Sequence, residues 1–479
     1  MLYHMQHVPQ PVLETFENRR KAEKAYIELR RTKGHYYIYR ATSRWDKQRR
    51  KPIKTAELLG SITPDGTYTP KRPRNTFSAT KIYEYGNSTL CQALTSDLTD
   101  ALRDLPYGDE LIALSMIRAL DPAPIRLMES RWEKTYASTE TAVDLSPRHV
   151  SNVLAHLGNM VQETYELYGK LASEGGMLFY DLTSILSYSR KLKLAKRGYN
   201  PEWEPENQVK VALAFSTSTW LPVAVDVFHG SIKEVKVLRY FVERFPGRDI
   251  GFVLDRGFNS YKLLLDLKRE KIHYIAALRR NSKLLPASAK MAGAFPYRKR
   301  NIAFCRRVKR PYGFLYLYED PELRGDEENL LLGKVSEGLI TMDEFRGMRR
   351  MAGVIGILSD LDVSAREVYE QYKGREEVEQ AFDAMKNDLE ADRTYLGGDD
   401  AVRGYFVVVL LAMRIHFKIL RRLRERGLVG KVSVREALFE LSKMEMVVER
   451  TGREYLCAIP RRTERILSAF SDLIPMAQH

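Results

Sequence analysis

The sequence predicts an α/β core with a β-rich insertion, flanked by mainly helical N- and C-terminal regions. Across 173–281, short apolar runs and amphipathic stretches follow the order three strands, helix, strand, helix, strand. This order stops at 282–350, where aromatic and basic residues alternate, and resumes at 351–400 with the apolar run MAGVIGILSD and a helix beginning at Ser364. Apolar residues spaced three and four apart predict helices within 81–172 and 401–479.

Residues 1–80 predict a small α+β element. A charged helix is expected up to about residue 34, followed by strands across 35–69 with a turn at 64–66. Tyr and Trp interleaved with Arg and Lys suit contact with a nucleic-acid backbone, and a sheet edge carrying solvated lysines explains them as well. The element is therefore a candidate for DNA contact.

Region 81–172 is a candidate helical DNA-binding region. Ser146 is the expected N-cap of a helix with Pro147 at its first position. The run SPRHVSNVL resembles the second helix of a helix-turn-helix and would place Arg148 and Asn152, with His149 and Ser151, on the outer face. An ordinary helical bundle is the alternative.

Charge favours a polyanionic partner. The 479 residues include 77 Lys and Arg, the formal net charge is +15, and basic runs lie at 44–54, 298–310 and 414–426. Each run alone is compatible with a solvated surface, but three in one chain favour duplex nucleic acid.

Several function classes are disfavoured. Cys91, Cys305 and Cys457 form no C-x-x-C pair, which argues against structural zinc and for a reducing compartment. The histidines are scattered, the start of the chain lacks a signal pattern, and the longest apolar run, 405–413, is too short to span a bilayer. We therefore expect a cytoplasmic protein that does not insert into membranes.

Two carboxylates follow apolar strands of the predicted core. Asp181 is expected at the end of MLFYDLTSIL, and Asp255 at the end of the strand in DIGFVLDRGFNS. A single Asp in such a place is usually a turn former or a helix cap. Strands nevertheless hold such carboxylates rigidly at a sheet edge, where a substrate can reach them.

The stretch YKGREEVEQAFDAMK, 372–386, predicts one helix with two faces. On a helical wheel four of its polar residues fall within roughly 60° of one another. These are Tyr372, Arg375, Glu379 and Lys386. An apolar stripe lies beside them, formed by Val378, Phe382, Met385 and Leu389. The alternative is a solvated amphipathic helix with Arg375 and Glu379 as an i,i+4 pair.

Asp181, Asp255 and Glu379 together make a three-carboxylate set. Three such groups brought close need compensating positive charge, which implies bound divalent cations. Oxygen ligands favour Mg²⁺ or Mn²⁺ over zinc, and two such ions can act on the attacking and leaving oxygens of a phosphodiester.

These residues resemble the DDE transposases of prokaryotic insertion sequences, in the group with a Y-x2-R-x3-E-x6-K signature. Tyr372, Arg375, Glu379 and Lys386 match all four positions and all three gaps. FYDLT and VLDRGF look like the first two catalytic blocks of that group, and AVDVFHGSIKEVKVL like its third-strand block. The resemblance is strong across about 170–420 and weak in the flanks.

The resemblance implies an RNase H-like catalytic core, a mixed sheet with helices on both faces. Asp181, Asp255 and Glu379 would hold two Mg²⁺ ions, with Mn²⁺ as a substitute, and Tyr372, Arg375 and Lys386 would contact DNA phosphates. The implied activity is cleavage at terminal inverted repeats and transfer of the 3′-hydroxyl ends into target DNA. The implied partners are double-stranded end and target DNA and a second copy in the synaptic complex, at the nucleoid in the cytoplasm; the C-terminal helical region, 401–479, is a candidate for dimerisation or DNA contact.

One departure concerns a base-flipping aromatic. Better-studied relatives place an aromatic, often Trp, in the insertion for a DNA-hairpin step, and no Trp lies in 282–350 here. Tyr297, Tyr312 or Phe314 would have to substitute. Further DNA contacts are expected from the basic residues of this region, namely Arg298, Lys299, Arg300, Arg306 and Arg307. Two other functions stay open, a transposase-derived DNA-binding protein without catalysis and a structure-specific nuclease of the same fold.

Overall fold

The computed structural model describes most of the chain in two compact units, Met1–Ser78 and Ala79–His479. The described residues are 8–23, 26–32, 34–46, 51–71, 79–172, 176–198, 206–245, 250–258, 260–286, 290–309 and 311–476. Parts of two basic runs, 47–50 and Arg310, lie outside them, as does Trp203.

The first unit is one helix with a small sheet. Its elements are α1 (Gln10–Ala22), β1 (Ile27–Thr32), β2 (His35–Asp46), β3 (Lys51–Ile62) and β4 (Tyr68–Pro70). The described strands pair antiparallel in the order β1-β2-β3-β4. The expected charged helix up to about residue 34 is wrong in its second half, because 27–32 pairs with β2 and buries Ile27 in the core. The turn at 64–66 is confirmed, with Gly66 at φ +90°.

The second unit contains the remaining elements. Its strands are β5 (Ala79–Glu84), β6 (Gly176–Ser187), β7 (Gln208–Ser216), β8 (Pro222–His229), β9 (Ile250–Leu254), β10 (His273–Ala277), β11 (Gly293–Tyr297), β12 (Arg300–Lys309), β13 (Gly313–Glu319), β14 (Val354–Ser359), β15 (Arg393–Thr394), β16 (Glu445–Glu449) and β17 (Glu454–Leu456). Its helices are α2 (Gly86–Leu94), α3 (Ser96–Leu102), α4 (Gly108–Leu120), α5 (Met128–Trp132), α6 (Pro147–Asn159), α7 (Val161–Leu171), α8 (Glu234–Arg244), α9 (Tyr261–Arg269), α10 (Pro321–Ser336), α11 (Met342–Arg349), α12 (Ala365–Lys373), α13 (Glu376–Asp383), α14 (Asp399–Glu425), α15 (Val434–Ser442) and α16 (Arg461–Leu467).

A large mixed sheet organises this unit. Among the described residues its order is β11-β12-β13-β14-β10-β9-β6-β7-β8, with β15 added to β6. Strands β10, β9 and β6 run parallel, and the pairs on either side are antiparallel. The predicted order three strands, helix, strand, helix, strand is confirmed as β6, β7, β8, α8, β9, α9, β10.

The interval 282–350 differs from the expected β-rich insertion in two ways. Strands β11 to β13 extend the main sheet, because β13 pairs with β14 along its whole length. The expected acidic turn and the residues after it instead form α10 and α11. Asp320 caps α10, with Pro321 at the first helical position, and Thr341 forms a capping box with Glu344 on α11.

Helix α14 is a long buried helix that packs against the edge strand β8 of the sheet. It packs on β8, α4 and α6, and its residues from 404 to 417 are all buried. Two glycines permit a close crossing with α6: a Cβ at Gly404 would lie 2.0 Å from the Leu154 carbonyl oxygen, and one at Gly158 would lie 1.8 Å from that of Asp400. The apolar half of α14 is therefore covered within its own subunit, which removes it as a dimerisation surface.

The third basic run, 414–426, is partly internal to the fold. The buried Arg414 donates to the carbonyl oxygen of Pro222 at 2.8 Å, and Lys418 donates to that of Leu94 at 2.6 Å. Both also face Asp97. The expectation that this run as a whole is a polyanion surface is thus wrong for its first half. Within the described ranges, no helix has the length and apolar character needed to cross a bilayer.

Candidate functional site

Asp181 and Asp255 lie side by side on neighbouring parallel strands. Tyr180 of β6 pairs with Leu254 of β9, and each aspartate is the next residue after one member of this pair. Paired strands lie about 5 Å apart. Asp255 follows directly after β9, as predicted. The expectation that Asp181 ends its strand is wrong: β6 continues to Ser187 because it keeps pairing with β7.

The two aspartates open onto a gap in the sheet. On one edge of β6, β9 pairs up to Tyr180 and β15 pairs from Leu186. Between them, 181–185 has no strand partner on that edge among the described residues. Asp181 stands at the start of this gap, where its carboxylate and that of Asp255 are not covered by a further strand.

The junction between α12 and α13 rests on the face of the sheet that carries Asp181. Side chains alternate along β6, so Phe179 and Asp181 point to one face while Tyr180 points to the other and meets Phe241 of α8. Helix α13 packs on β6. A Cβ at Gly374 would lie 2.7 Å from Phe179, so this glycine lets the α12–α13 junction rest directly on the strand that carries Asp181.

The stretch 372–386 is three consecutive segments rather than the single predicted helix. Helix α12 ends at Lys373, α13 begins at Glu376, and Ala384–Asp388 is a π-helix. At the break, two backbone hydrogen bonds span three residues instead of four. The N–H of Arg375 donates to the carbonyl of Tyr372, and the N–H of Val378 donates to that of Arg375. The wider π-helical turn rotates Lys386 away from its wheel position, and this residue does not line the cleft described below.

The predicted apolar stripe is largely confirmed as core, since Val378, Met385 and Leu389 are buried and Phe382 is partly buried. Tyr372 is buried too, although the wheel placed it on the polar face. Burial raises the pKa of Tyr372, and the nearby positive charges of Arg375 and Arg256 oppose that rise.

Arg375 links two of the three candidate acids. Its guanidinium forms an ion pair with Asp255 and donates to Glu379 Oε1 at 2.8 Å. Burial opposes the charge on Arg375, but Asp255 and the other nearby groups, including Asp181, outweigh it and raise the pKa of Arg375. A positive charge is therefore fixed between the carboxylates by the chain itself.

An open cleft of ≈ 390 Å³ surrounds this ion pair. Its lining consists of Asp255, Arg256, Tyr372, Lys373, Arg375, Glu376 and Glu379. Burial lowers the pKa of Lys373. Arg256 and Lys373 were not among the predicted site residues. Each directly follows a predicted site residue in the sequence, Asp255 or Tyr372, and each lines the same cleft.

The three carboxylates fit a divalent metal by chemistry but not by arrangement. All are hard oxygen donors of the kind that Mg²⁺ prefers. Within the described residues, however, no three His, Cys, Asp or Glu side chains converge closely enough to hold an ion. Arg375 supplies the compensating charge to Asp255 and Glu379 instead.

Several predicted DNA contacts in 298–307 are already paired with acids. Arg298 binds Glu376 at 2.9 Å, Arg300 binds Asp320 at 3.1 Å, and Arg306 binds Asp362. Lys299 and Arg307 are exposed and have no ion pair among the described residues. Lys299 and Arg307 can therefore bind a phosphate without breaking an ion pair, whereas the three paired arginines would exchange a carboxylate for it.

The candidate base-stacking aromatics are partly buried. Tyr297 packs on Tyr369, with ring centroids 5.2 Å apart, and Tyr312 packs on Tyr261 at 5.5 Å. Phe314 is partly buried and lies beneath the guanidinium of Arg306 at 3.8 Å. Trp220, at the β7–β8 turn, is 39 % exposed and rests beside Phe179. Trp220 therefore lies close to 372–375. The sequence gives no indication of this proximity, because the β7–β8 turn and 372–375 are far apart along the chain.

The helix-turn-helix candidate lies away from this cleft. Ser146 precedes α6 as expected, although its side chain makes no capping hydrogen bond, and Pro147 occupies the first turn. Arg148 and Asn152 are exposed on α6, while the opposite face of that helix packs on α14. The two side chains are accessible to a partner, as the sequence predicts.

Comparison with known proteins identifies the family. The sequence model described as "Transposase DDE domain" matches residues 176–415. No curated protein matches the chain in sequence. Among solved structures, the cryo-EM structure of the piggyBac transposase synaptic complex with hairpin DNA is similar over 82 % of this chain and 83 % of that chain, with 14 % identity and a TM-score of 0.37.

Proposed function

The chain belongs to the transposase DDE domain family, and from this we propose that it cuts double-stranded DNA at the terminal inverted repeats of an insertion sequence and joins the 3′-hydroxyl ends to target DNA. We place it in the group with the Y-x2-R-x3-E-x6-K signature, with an RNase H-like core formed by the two segments around β6, β9 and α13. A second copy of the chain would hold the other end in the synaptic complex.

One geometric observation carries the proposal. Asp181 and Asp255 follow paired residues on adjacent parallel strands, and α13 brings Glu379 to the same face through Arg375. Arg375 thus links the residue after β9 with helix α13, on the face of the sheet where Asp181 lies. A plain amphipathic helix would not require that convergence.

The cations of the cleft suit a phosphodiester. Arg375 presents a planar guanidinium that can bind two phosphate oxygens, and Arg256 and Lys373 line the same space. Tyr372 lines the same cleft as Arg256. We assign Tyr372 and Arg375 to phosphate contact in the cleft, with Arg256 and Lys373 as additional contacts. Lys386, which lies outside the cleft, would contact a phosphate farther along the DNA.

Asp181, Asp255 and Glu379 are the proposed ligands of Mg²⁺, or of Mn²⁺ in its place. When bound, such an ion activates the attacking oxygen and stabilises the leaving oxygen. The part of this chain is to supply the carboxylates and to direct the phosphate toward them with Arg375.

The test is strand cleavage and joining by the purified full chain. The substrate is a duplex with the inverted repeats that flank the coding region, incubated with Mg²⁺. Glu379→Gln should abolish both products while DNA binding is retained. Glu376→Gln is the matched control, because Glu376 lies on the same helix and in the same cleft but pairs with Arg298.

Identical products from wild type and Glu379→Gln would overturn the assignment. Equal turnover on duplexes without the repeats would point to a structure-specific nuclease. Binding without any cleavage by wild type would point to a DNA-binding protein that has no catalytic role.

A further inference from the structure

A strongly basic loop follows the strand that carries Asp181. Between β6 and β7, the segment 188–198 contains no acidic residue, and its cations are all exposed. They are Arg190, Lys191, Lys193, Lys196 and Arg197. None of them forms an ion pair with a carboxylate in the part of the chain that the structure describes. This distinguishes the loop from the arginines of 298–306, which are held by acids.

The loop is fixed in place although its cations face solvent. Leu192 and Ala195 are buried beneath it. The N–H of Leu194 donates to Asp399 at 3.1 Å, and the carbonyl of Leu194 accepts from the N–H of Gly230 at 3.1 Å. Lys196 exchanges backbone hydrogen bonds with Gln208 of β7. The positive charges are thus presented on a defined backbone, so little conformational entropy is lost when they bind an anion.

Two exposed tyrosines stack beside the loop. The pairing of β15 with β6 aligns Thr394 with Ser187, which brings Tyr395 next to Tyr188. Their rings are 5.6 Å apart and inclined by 17°, and the side chains are 47 % and 74 % exposed for Tyr188 and Tyr395. The guanidinium of Arg393 lies 5.8 Å from the Tyr188 ring and pairs with Asp392 at 2.9 Å, so it contributes less free charge than the loop cations. Exposed aromatic rings with neighbouring cations are typical of nucleic-acid surfaces.

The position along β6 sets the distance to the candidate active site. From Asp181 to the end of the strand at Ser187 is a rise of about 20 Å at roughly 3.3 Å per residue. B-DNA advances about 3.4 Å per base pair, so a duplex that runs along β6 would cover this length in about six base pairs. Both features lie on β6, at the two ends of the opening between β9 and β15.

We propose that this surface, formed by loop 188–198 with Tyr188, Arg393 and Tyr395, binds the phosphate backbone of duplex DNA about six base pairs from the scissile phosphate. The inference rests on the proposed function, which makes DNA the substrate. The loop cations neutralise phosphates, the tyrosine hydroxyls donate to phosphate oxygens, and the contact carries no base specificity.

The test compares duplex binding by full-length variants over a range of salt concentrations. The loop variant carries Arg190→Gln, Lys191→Gln and Lys193→Gln. Its control carries Lys334→Gln, Arg346→Gln and Arg350→Gln, which remove the same charge from exposed positions on and beside α10 and α11. For the loop variant the slope of log K against log salt should fall by about two to three, at about 0.9 per lost phosphate contact. The loss should be equal for repeat-bearing and scrambled duplexes.

Duplex length gives a second measurement, which separates a lost contact from a folding defect because a misfolded variant would also bind the short duplexes less tightly. Duplexes that end within about four base pairs of the scissile phosphate on the loop side should bind wild type and the loop variant equally, since they do not reach the surface. Longer duplexes should distinguish the two proteins. Tyr395→Ala should weaken only the longer complexes.

The outcomes separate the inference from the proposed function. If wild type binds no duplex, the proposed function fails. If wild type binds and the loop variant matches the control in affinity and salt slope, only the present inference fails. It is also overturned if the loop variant loses affinity for single strands alone.

Discussion

The guanidinium of Arg375 forms an ion pair with the carboxylate of Asp255, which directly follows strand β9. The same guanidinium binds Glu379, so one side chain supplies the positive charge that balances two proposed metal ligands. A phosphate that draws Arg375 toward itself would release both carboxylates at once. Substrate binding and ligand availability are thereby connected through one residue.

Arg375→Gln should therefore increase the affinity for Mn²⁺ in the absence of DNA. Exposed ion pairs contribute up to about 1 kcal/mol, so the expected gain is roughly two- to fivefold. Electron paramagnetic resonance of free Mn²⁺ measures it. Arg366→Gln is the control, because it removes the same charge from α12, where Arg366 pairs with Glu370 at 2.8 Å. Equal Mn²⁺ affinities for the two variants would contradict the prediction.

Gly404→Ala should destabilise the larger unit. Its new Cβ would meet the Leu154 carbonyl oxygen at 2.0 Å and force α6 and α14 apart, at a cost of about 1–3 kcal/mol. Gly333→Ala is the matched control, since this glycine of α10 has no atom within 4 Å of an added Cβ and should gain up to about 1 kcal/mol. Urea unfolding of both variants checks the opposite signs, and a shared sign would refute the close crossing.

Asp226→Asn should change how stability depends on pH. Asp226 of β8 accepts from the Tyr165 hydroxyl at 2.6 Å, and burial raises its pKa. The folded state then holds a proton at pH values where the unfolded chain, with a pKa of about 3.9, has lost it. The contribution of Asp226 is present below that value and declines as pH rises through the folded pKa.

Relative to Asp226→Asn, wild type should accordingly become less stable as the pH rises above about 4, as followed by urea unfolding. Asp343→Asn, at an exposed position on α11, controls for the change in net charge. A constant difference between wild type and Asp226→Asn across this range would count against the raised pKa.

Arg414→Ala should reduce stability and leave DNA binding unchanged. The substitution leaves the buried Pro222 carbonyl without its donor, which costs about 1–3 kcal/mol. Arg426→Ala, at the exposed end of the same basic run, should cost little. Denaturant midpoints and duplex affinities of the two variants check this, and a lower salt slope for Arg414→Ala would show that the residue reaches DNA after all.

The sequence allows the order of strands and helices in the core to be predicted because that order is local. Asp255 is placed correctly by the end of its apolar run. Asp181 is not, because β6 continues through polar residues that are held by pairing with β7. The break at Gly374 was likewise hidden, since its cause is contact with Phe179 from a distant strand.

Charge patterns in the sequence were less informative than periodicity. Whether Arg306 or Arg300 is free depends on acids far along the chain, Asp362 and Asp320. The five cations of loop 188–198 and its lack of acidic residues can be read from the sequence. The neighbouring Tyr395 cannot, because the pairing of β15 with β6 brings it beside the loop. Long-range pairing decides which cations remain accessible.

The pairing of β13 with β14 limits how this family member can be shortened or recombined. Because 293–319 is hydrogen-bonded into the main sheet, its removal would leave β14 with a row of unpaired backbone groups. Such an exposed strand is a template for pairing with another chain. A truncated form that lacks these strands should therefore aggregate even while Asp181, Asp255 and Glu379 keep their positions. The segment cannot be exchanged as an independent module.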